Sequence, residues 1–339
     1  MLYELPIFQH VDVKSVRDAL SCLQHYGEKA KVIAGGTDLL GLMKDRIEGP
    51  GLPIPEVLVN VKSIPGMNRI TYDKEAGLRI GAAVPLNHLE TSEGLKKFGI
   101  LSQAARQVGS TQIRFMGTIG GNLCQRPRCL YFRHVDFLCH KRGGNTCYAI
   151  AGEHRNYHAI MKYGRCVMAH PSDMAPALIA LNARIRVAAP EGERQIPLED
   201  FFLGSNPLTE TVLKPDEFIT EIQVPNPGER TYQLFLKHRI RHSVDFALAS
   251  VATVAQISEG ICREIRIVLG GIAPIPLRAS EAEDIIGGEK LGDEIIVQAA
   301  EASVKNARPL PMNRYKVDLT KASVRRALTS LWQESLKNP

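Results

Sequence analysis

Two glycine-bearing bends, about eighty-five residues apart, set the first constraint on this chain. The first lies in Lys31–Leu40, KVIAGGTDLL, where an apolar strand over Val32, Ile33 and Ala34 runs into Gly35, Gly36, Thr37 and Asp38 and then into helix-like LLGLMKD. The second opens the stretch Arg114–Cys166 as RFMGTIGGNLCQRPRC, so that the Gly120-Gly121 turn leads directly into a cysteine-rich segment. Glycine lets backbone approach a bulky anion, and N–H groups at a following helix start bind phosphate. The first run lacks the spacing of a GxGxxG dinucleotide fingerprint, so a Rossmann sheet is not expected. Two separate loops converging on one diphosphate suit a large cofactor such as FAD; the alternative is two unrelated tight turns.

The cysteines are the second constraint. Five of the seven fall between Cys124 and Cys166, spaced Cys124-x4-Cys129-x9-Cys139-x7-Cys147-x18-Cys166. A local cluster in a chain without a disulfide framework points to metal. The spacing is neither the paired CxxC of a zinc ribbon nor the compact run of ferredoxins. Four loosely spaced thiolates can still surround a cubane [4Fe–4S] cluster, one per corner, and zinc or unliganded thiols stay open. Arg126, Arg128, Arg133, Lys141 and Arg142 stand among them, and their charge is expected to favour thiolates. Nucleic-acid binding needs a concentrated basic face with aromatic platforms; a net charge of +6 without a long basic block, and 6% aromatics, argue against it. No run approaches the ~20 apolar residues of a membrane helix. The opening MLYELPIFQH has no basic region followed by an apolar run, which favours the cytoplasm, or the periplasm by co-export with a signal-bearing partner.

Around these features the periodicity predicts a helix over 14–26 with Val16, Ala19, Leu20 and Leu23 inward, and a buried strand over 57–61. It predicts a hairpin from Asn68 to Ala83 and helices near 88–95 and 101–108. Cys22 reads as a small buried residue of the first helix. HPSDMAPALIALNARIRV reads as turn, helix and strand, with Ser172 as N-cap and Asp173 in the first helical turn. A strand over 211–224 ends at Pro225-Asn226-Pro227-Gly228, the expected domain boundary. Strands over 232–237, 246–256 and 264–269 follow, then helices near 280–286, 293–306 and 321–334, an α+β pattern. No Ser/His/Asp order or HExxH helix suggests hydrolysis.

The runs KVIAGGTDL, MGTIGGNL, HPSDMAPAL, FLKHRIRHSVDFALASVA and GGIAPIPLRASEAE, kept in order over nearly the whole chain, resemble the FAD-binding (medium) subunit of the molybdenum hydroxylases. That family includes xanthine dehydrogenase, carbon monoxide dehydrogenase, 4-hydroxybenzoyl-CoA reductase and bacterial aldehyde oxidoreductases. RCLYFR…FLCHKRGGNTC is similar to the subtype that carries an extra [4Fe–4S] cluster, closest to the aldehyde oxidoreductase type. The resemblance implies a two-part α+β FAD-binding domain of the molybdopterin dehydrogenase flavoprotein type over 1–225, with an iron–sulfur insertion at about 124–166, and a smaller α+β C-terminal domain over 229–335. It implies that Lys31, Val32, Ile33, Ala34, Gly35, Gly36, Thr37, Asp38 and Leu39 wrap the FAD diphosphate, with Thr118, Gly120, Gly121 and Asn122 as the second loop. Asp173 would hydrogen-bond the cofactor, and Ile219 and Lys237 would lie near the flavin ring. Cys129, Cys139, Cys147 and Cys166 would be the cluster ligands, Cys124 not among them. The implied role is electron transfer between [2Fe–2S] clusters of a small subunit, which serve a molybdenum-cofactor large subunit, and an external carrier such as ferredoxin. A free-standing flavin oxidoreductase and a zinc-stabilised interaction module are the rival readings.

Overall fold

The computed structural model describes residues 4–204 and 208–337, which form three sheets with helices between and outside them. The first sheet is small and parallel: β1 (Gln9–Asp12), β2 (Ala30–Ile33) and β3 (Val57–Asn60) in the order β1-β3-β2. Helix α1 (Val16–Tyr26) crosses from β1 to β2, with Ser15 Oγ accepting the Asp18 N–H at 3.1 Å. Its apolar stripe buries Ala19 and Leu23, and Gly27 ends it at φ +54°. Cys22 on this helix is half-buried against the core. Helix α2 (Leu39–Lys44) follows β2 across the first glycine bend.

The second sheet is antiparallel, with β4 (Ile70–Asp73), β5 (Gly77–Gly81), β6 (Arg184–Ala189), β7 (Gly192–Pro197) and β8 (Phe218–Val224) in the order β4-β5-β8-β6-β7. The expected hairpin pairs Ile70 with Ile80 and Tyr72 with Leu78. The strand expected from 211 begins only at Phe218. Pro215 and the Lys214–Glu217 turn, in which the Glu217 carboxylate accepts the Lys214 N–H at 3.0 Å, hold the chain out of the sheet. Between β5 and β6 run α3 (Leu86–Thr91), α4 (Gly99–Arg106), α5 (Thr111–Met116), α6 (Ile119–Leu123), α7 (Tyr148–Ala151) and α8 (Met174–Ala180). All seven residues of α8, MAPALIA, are buried. A helix apolar on every side belongs inside, and α8 packs on α4 and α6 on one side and on the third sheet on the other.

That third sheet is β9 (Thr231–His238), β10 (Ala249–Ser258), β11 (Ile261–Gly270) and β12 (Leu277–Arg278), antiparallel in the order β12-β11-β10-β9. Helices α9 (Ser280–Ile286), α10 (Asp293–Ala302) and α11 (Tyr315–Lys337) accompany it around a second core. The expected strand start at Phe246 moves to Ala249, because the Asp245 carboxylate accepts the N–H groups of Ile240, Arg241 and Phe246 and folds that stretch into a turn. The α+β class expected from the sequence holds. Among the described residues, no helix is long and apolar enough to cross a membrane.

The open edge of β9 is closed by side chains of the first part. Gln103 Oε1 accepts the Phe235 N–H at 2.8 Å, and Gln233 donates to the Lys97 carbonyl at 2.8 Å while accepting the Ile100 N–H at 3.3 Å. Covering an edge in this way satisfies backbone groups that would otherwise be orphaned. Gln103→Leu leaves the Phe235 N–H without its acceptor and should lower the unfolding free energy by about 1–3 kcal/mol, read from the urea midpoint at an unchanged m-value.

Candidate functional site

The two glycine bends touch. A Cβ on Gly35 would stand 2.0 Å from the Met116 carbonyl oxygen and 2.9 Å from Gly117 Cα, so only a glycine lets the first bend lie on the second. Gly36 has φ +70°, in the left-handed region that glycine adopts without strain. In the second bend Thr118 Oγ1 accepts the Gly121 N–H at 3.3 Å, and Gly120 packs on Ala82, whose carbonyl oxygen would be 2.9 Å from an added Cβ. Ser172 Oγ donates to Asn122 Oδ1 at 2.6 Å and accepts the Ala175 N–H at 3.0 Å. The expected cap of α8 therefore also fastens the second bend to the central helix.

A trough runs across this junction as three adjoining cavities, each lined by Thr118 and Gly121. The middle one, about 270 Å³, is lined by every residue from Lys31 to Leu39 and by Arg126. One arm, about 480 Å³, extends past Lys31, Val32, Ala34 and Gly120 to Glu217, Phe218 and Ile219. The other, about 190 Å³, passes Thr37, Asp38, Asn122 and Asp173 to Asp245 and Phe246. Ile219 and Lys237, expected together, are not brought together: Ile219 lines the first arm, while Lys237 stands behind Asp173 at the end of the second. The separation follows from β8 and β9 belonging to different sheets.

Lys237 Nζ lies 2.6 Å from Asp173 Oδ2 and also donates to the carbonyls of Gln107 and Asp245, both at 2.9 Å. Both side chains are buried, and Asp173 answers a cation rather than capping α8. Burial pushes the Asp173 carboxyl up, outweighing the pull of the Lys237 ammonium. Among the described residues Asp173 Oδ1 has no partner, which leaves an orphaned acceptor at a wall of the trough. Sequence reasoning missed Asp245, Tyr157 and Glu210. Tyr157 donates its hydroxyl to Asp245, and Arg128 lies 4.8 Å over the ring of Phe246. Asp245 and Phe246 stand inside the run FLKHRIRHSVDFALASVA, but only the fold reveals that this turn closes the trough.

The basic residues of the cysteine segment are paired within the fold. Asp38 Oδ2 accepts the Arg126 N–H at 2.8 Å, and Asp38 Oδ1 pairs with Arg128 at 2.8 Å and Arg133 at 2.7 Å. Arg126 and Lys141 pair with the buried Glu210 at 2.6 and 2.8 Å. Arg142 donates to the carbonyls of Glu48, His134, Val135 and Phe137. Burial pushes the thiols up, Cys129 to about 11 and Cys166 to about 12, and raises Cys139 as well. Lys141 beside Cys166 and Arg142 beside Cys139 favour the thiolates as expected, but burial outweighs their pull.

Cys129, Cys139, Cys147 and Cys166 nevertheless line one pocket, together with Phe132, Lys141 and Met168. The void between them is about 10 Å³, roughly the size of one water, and no three His, Cys, Asp or Glu side chains among the described residues are grouped to hold a metal ion. As donors the four thiols suit iron–sulfur ligation, whereas the space requires their side chains to swing apart first. Cys124 stands apart from them, in the trough beside Gly121. His158 Nε2 lies 3.3 Å from Cys129 Sγ; burial first, then Lys316 and His154, lowers the His158 pKa to about 4.

The fold is α+β, and an elongated trough runs across its two touching glycine bends. The family described as the FAD binding domain in molybdopterin dehydrogenase matches residues 6–227, and the CO dehydrogenase flavoprotein C-terminal domain matches 235–331. The chain belongs to this family of molybdopterin-dehydrogenase flavoproteins. It is 36% identical to the aldehyde oxidoreductase FAD-binding subunit PaoB of Escherichia coli (strain K12), over 87% of this chain and 89% of that one. It is 28% identical to the carbon monoxide dehydrogenase medium chain of Hydrogenophaga pseudoflava, over 96% and 98%. The solved carbon monoxide dehydrogenase from that organism, in a form lacking the Mo-pyranopterin moiety, superposes with a TM-score of 0.77 over 97% of this chain and 99% of that one, at 28% identity.

Lys237→Met leaves Asp173 buried without its cation, and should cost about 3–5 kcal/mol of stability at neutral pH. Because the Asp173 pKa is already raised and rises further in the variant, the loss is full when the carboxylate is ionised and shrinks as acid protonates it. Chemical denaturation of wild type and variant at several pH values checks both the size and the sign.

Proposed function

We propose that this chain is the FAD- and [4Fe–4S]-containing electron-transfer subunit of a multi-subunit molybdenum hydroxylase or reductase. FAD binding follows from the family; the cluster, its ligands and the outside carrier are our reading. The observation that carries it is the adjacency of a two-bend nucleotide trough and a pocket lined by four cysteines, joined through Asp38. Bound FAD supplies two-electron chemistry whose electrons can leave singly.

The residues of the chain bind and orient. Backbone of 34–38 and of 118–122 would receive the diphosphate where the bends meet. The larger arm, ending at Ile219, suits the adenosine half, and the narrower arm suits the flavin ring. There the orphaned Asp173 Oδ1 would accept an N–H or O–H of the cofactor, held in place by Lys237. Cys129, Cys139, Cys147 and Cys166 would hold the iron in a pocket closed by Phe132 and Met168. Their high apo pKa values mean that assembly displaces thiol protons.

The domains are then 1–225 and 229–335, with the insertion at about 124–166. The names of the relatives, an FAD-binding subunit and a medium chain, support an assembly with a molybdenum-bearing large subunit and a [2Fe–2S] small subunit. The substrate site would then lie on the large subunit, and a carrier such as ferredoxin would exchange electrons at the cysteine segment.

An anaerobic absorbance and EPR spectrum of the assembled complex, with iron, zinc and flavin quantified, tests this reading. It should give one FAD and four irons in this subunit, and Cys139→Ser should lose the iron while keeping the FAD. Zinc in place of iron, or full iron in Cys139→Ser, would contradict the ligand set.

A further inference from the structure

We propose that Arg128 and Phe246 form a cation–π pair that binds the flavin ring in the narrower arm of the trough, so that both parts of the chain grip the ring at once. The inference rests on the flavin placement made above and goes beyond it by naming the side chains that read the ring. The Arg128 guanidinium carbon lies 4.8 Å from the centroid of the Phe246 ring, and both residues line the arm. Arg128 comes from the stretch that follows the second glycine bend, and Phe246 from the turn that precedes β10. The wall they make therefore joins the first part of the chain to the C-terminal domain.

Each partner is fixed from behind. Arg128 Nη2 pairs with Asp38 Oδ1 at 2.8 Å and donates to Gln125 Oε1 at 3.4 Å. Its Nε has no partner among the described residues, so the guanidinium keeps a donor to spare. The Phe246 N–H donates to Asp245 Oδ1 at 3.0 Å, and the same carboxylate accepts the Tyr157 hydroxyl and the N–H groups of Ile240 and Arg241. The Tyr157 ring meets the Phe246 ring edge to face, with centroids 5.9 Å apart. A ring entering the arm therefore orders little that is not already ordered. A flavin ring is flat, electron-poor and edged with carbonyl oxygens. A phenyl ring offers it a flat apolar surface, and a guanidinium offers N–H donors for the carbonyl edge. The Arg128 side chain is only 23% exposed, and a cation–π contact strengthens as water is removed. Leu86, Val108 and Ile113 add apolar surface to the same arm.

The test is equilibrium binding of FAD and of ADP to the assembled complex freed of its flavin, for wild type, F246L, F246Y, R128M and the R128M/F246L double variant. ADP carries the adenosine and diphosphate of FAD but no flavin ring. F246L keeps the Arg128–Asp38 ion pair and should bind FAD about tenfold more weakly, with ADP affinity as in wild type. F246Y retains the aromatic face and should stay near wild type. R128M should lose FAD affinity to a similar degree, and the double variant should fall little further, because the two groups act as a unit. Unchanged FAD affinity in F246L, an equal loss in F246Y, additive losses in the double variant, or a fall shared by FAD and ADP in both single variants overturns the proposal. Wild type that binds ADP as tightly as FAD removes the flavin placement, and this inference with it; wild type that binds neither removes the nucleotide reading of the trough.

Discussion

The Asp38 carboxylate is the interaction on which the site depends. It stands at the end of the first glycine bend and receives the Arg126 N–H and the guanidinium groups of Arg128 and Arg133, all from the cysteine segment. Its partners are mostly shielded from solvent, so these contacts are worth more than surface pairs. Because one carboxylate serves three donors, the bend cannot shift without moving the start of the segment. The first glycine bend and the thiols are therefore parts of one unit. Arg126 extends that unit by reaching Glu210, which also holds Lys141 beside the cysteine pocket.

A second unit faces it from the C-terminal domain. Asp173, at the start of the buried helix α8, pairs with Lys237 of β9, and the turn around Asp245 closes the narrower arm of the trough. Lys316 and Asn313, at the start of α11, hold the backbone at His158. The cysteine segment is thus clamped at both ends, by Asp38 at its entry and by the C-terminal helix at its exit. This explains why a long irregular stretch keeps a defined course through the structure: its polar backbone is answered by buried cations rather than by a sheet.

Much of the fold was legible because it follows local rules. The 14–26 helix has its serine cap and glycine stop, the 70–80 hairpin has alternation around Gly77, and MAPALIA has the composition of a helix with no solvent face. Strand ends misread at 211 and 246 were set by side chains, Glu217 and Asp245, which bond backbone groups and so override propensity. The glycine bends could be read as loops, but their contact through Gly35 and Met116 is a long-range fact without a local signal. The same holds for the basic residues among the cysteines. Composition shows charge near thiols, whereas only the packing shows that Asp38 and Glu210 pair with much of it and that burial outweighs its pull on the thiols.

The central claim is that Asp38 binds the cysteine segment to the first glycine bend as a single element. Hydrogen exchange of the intact complex, comparing wild type with Asp38→Ala at the Arg126 amide and over residues 124–142, tests it most directly. The account predicts much faster exchange throughout that stretch together with reduced FAD occupancy. Exchange and flavin content both equal to wild type would contradict it.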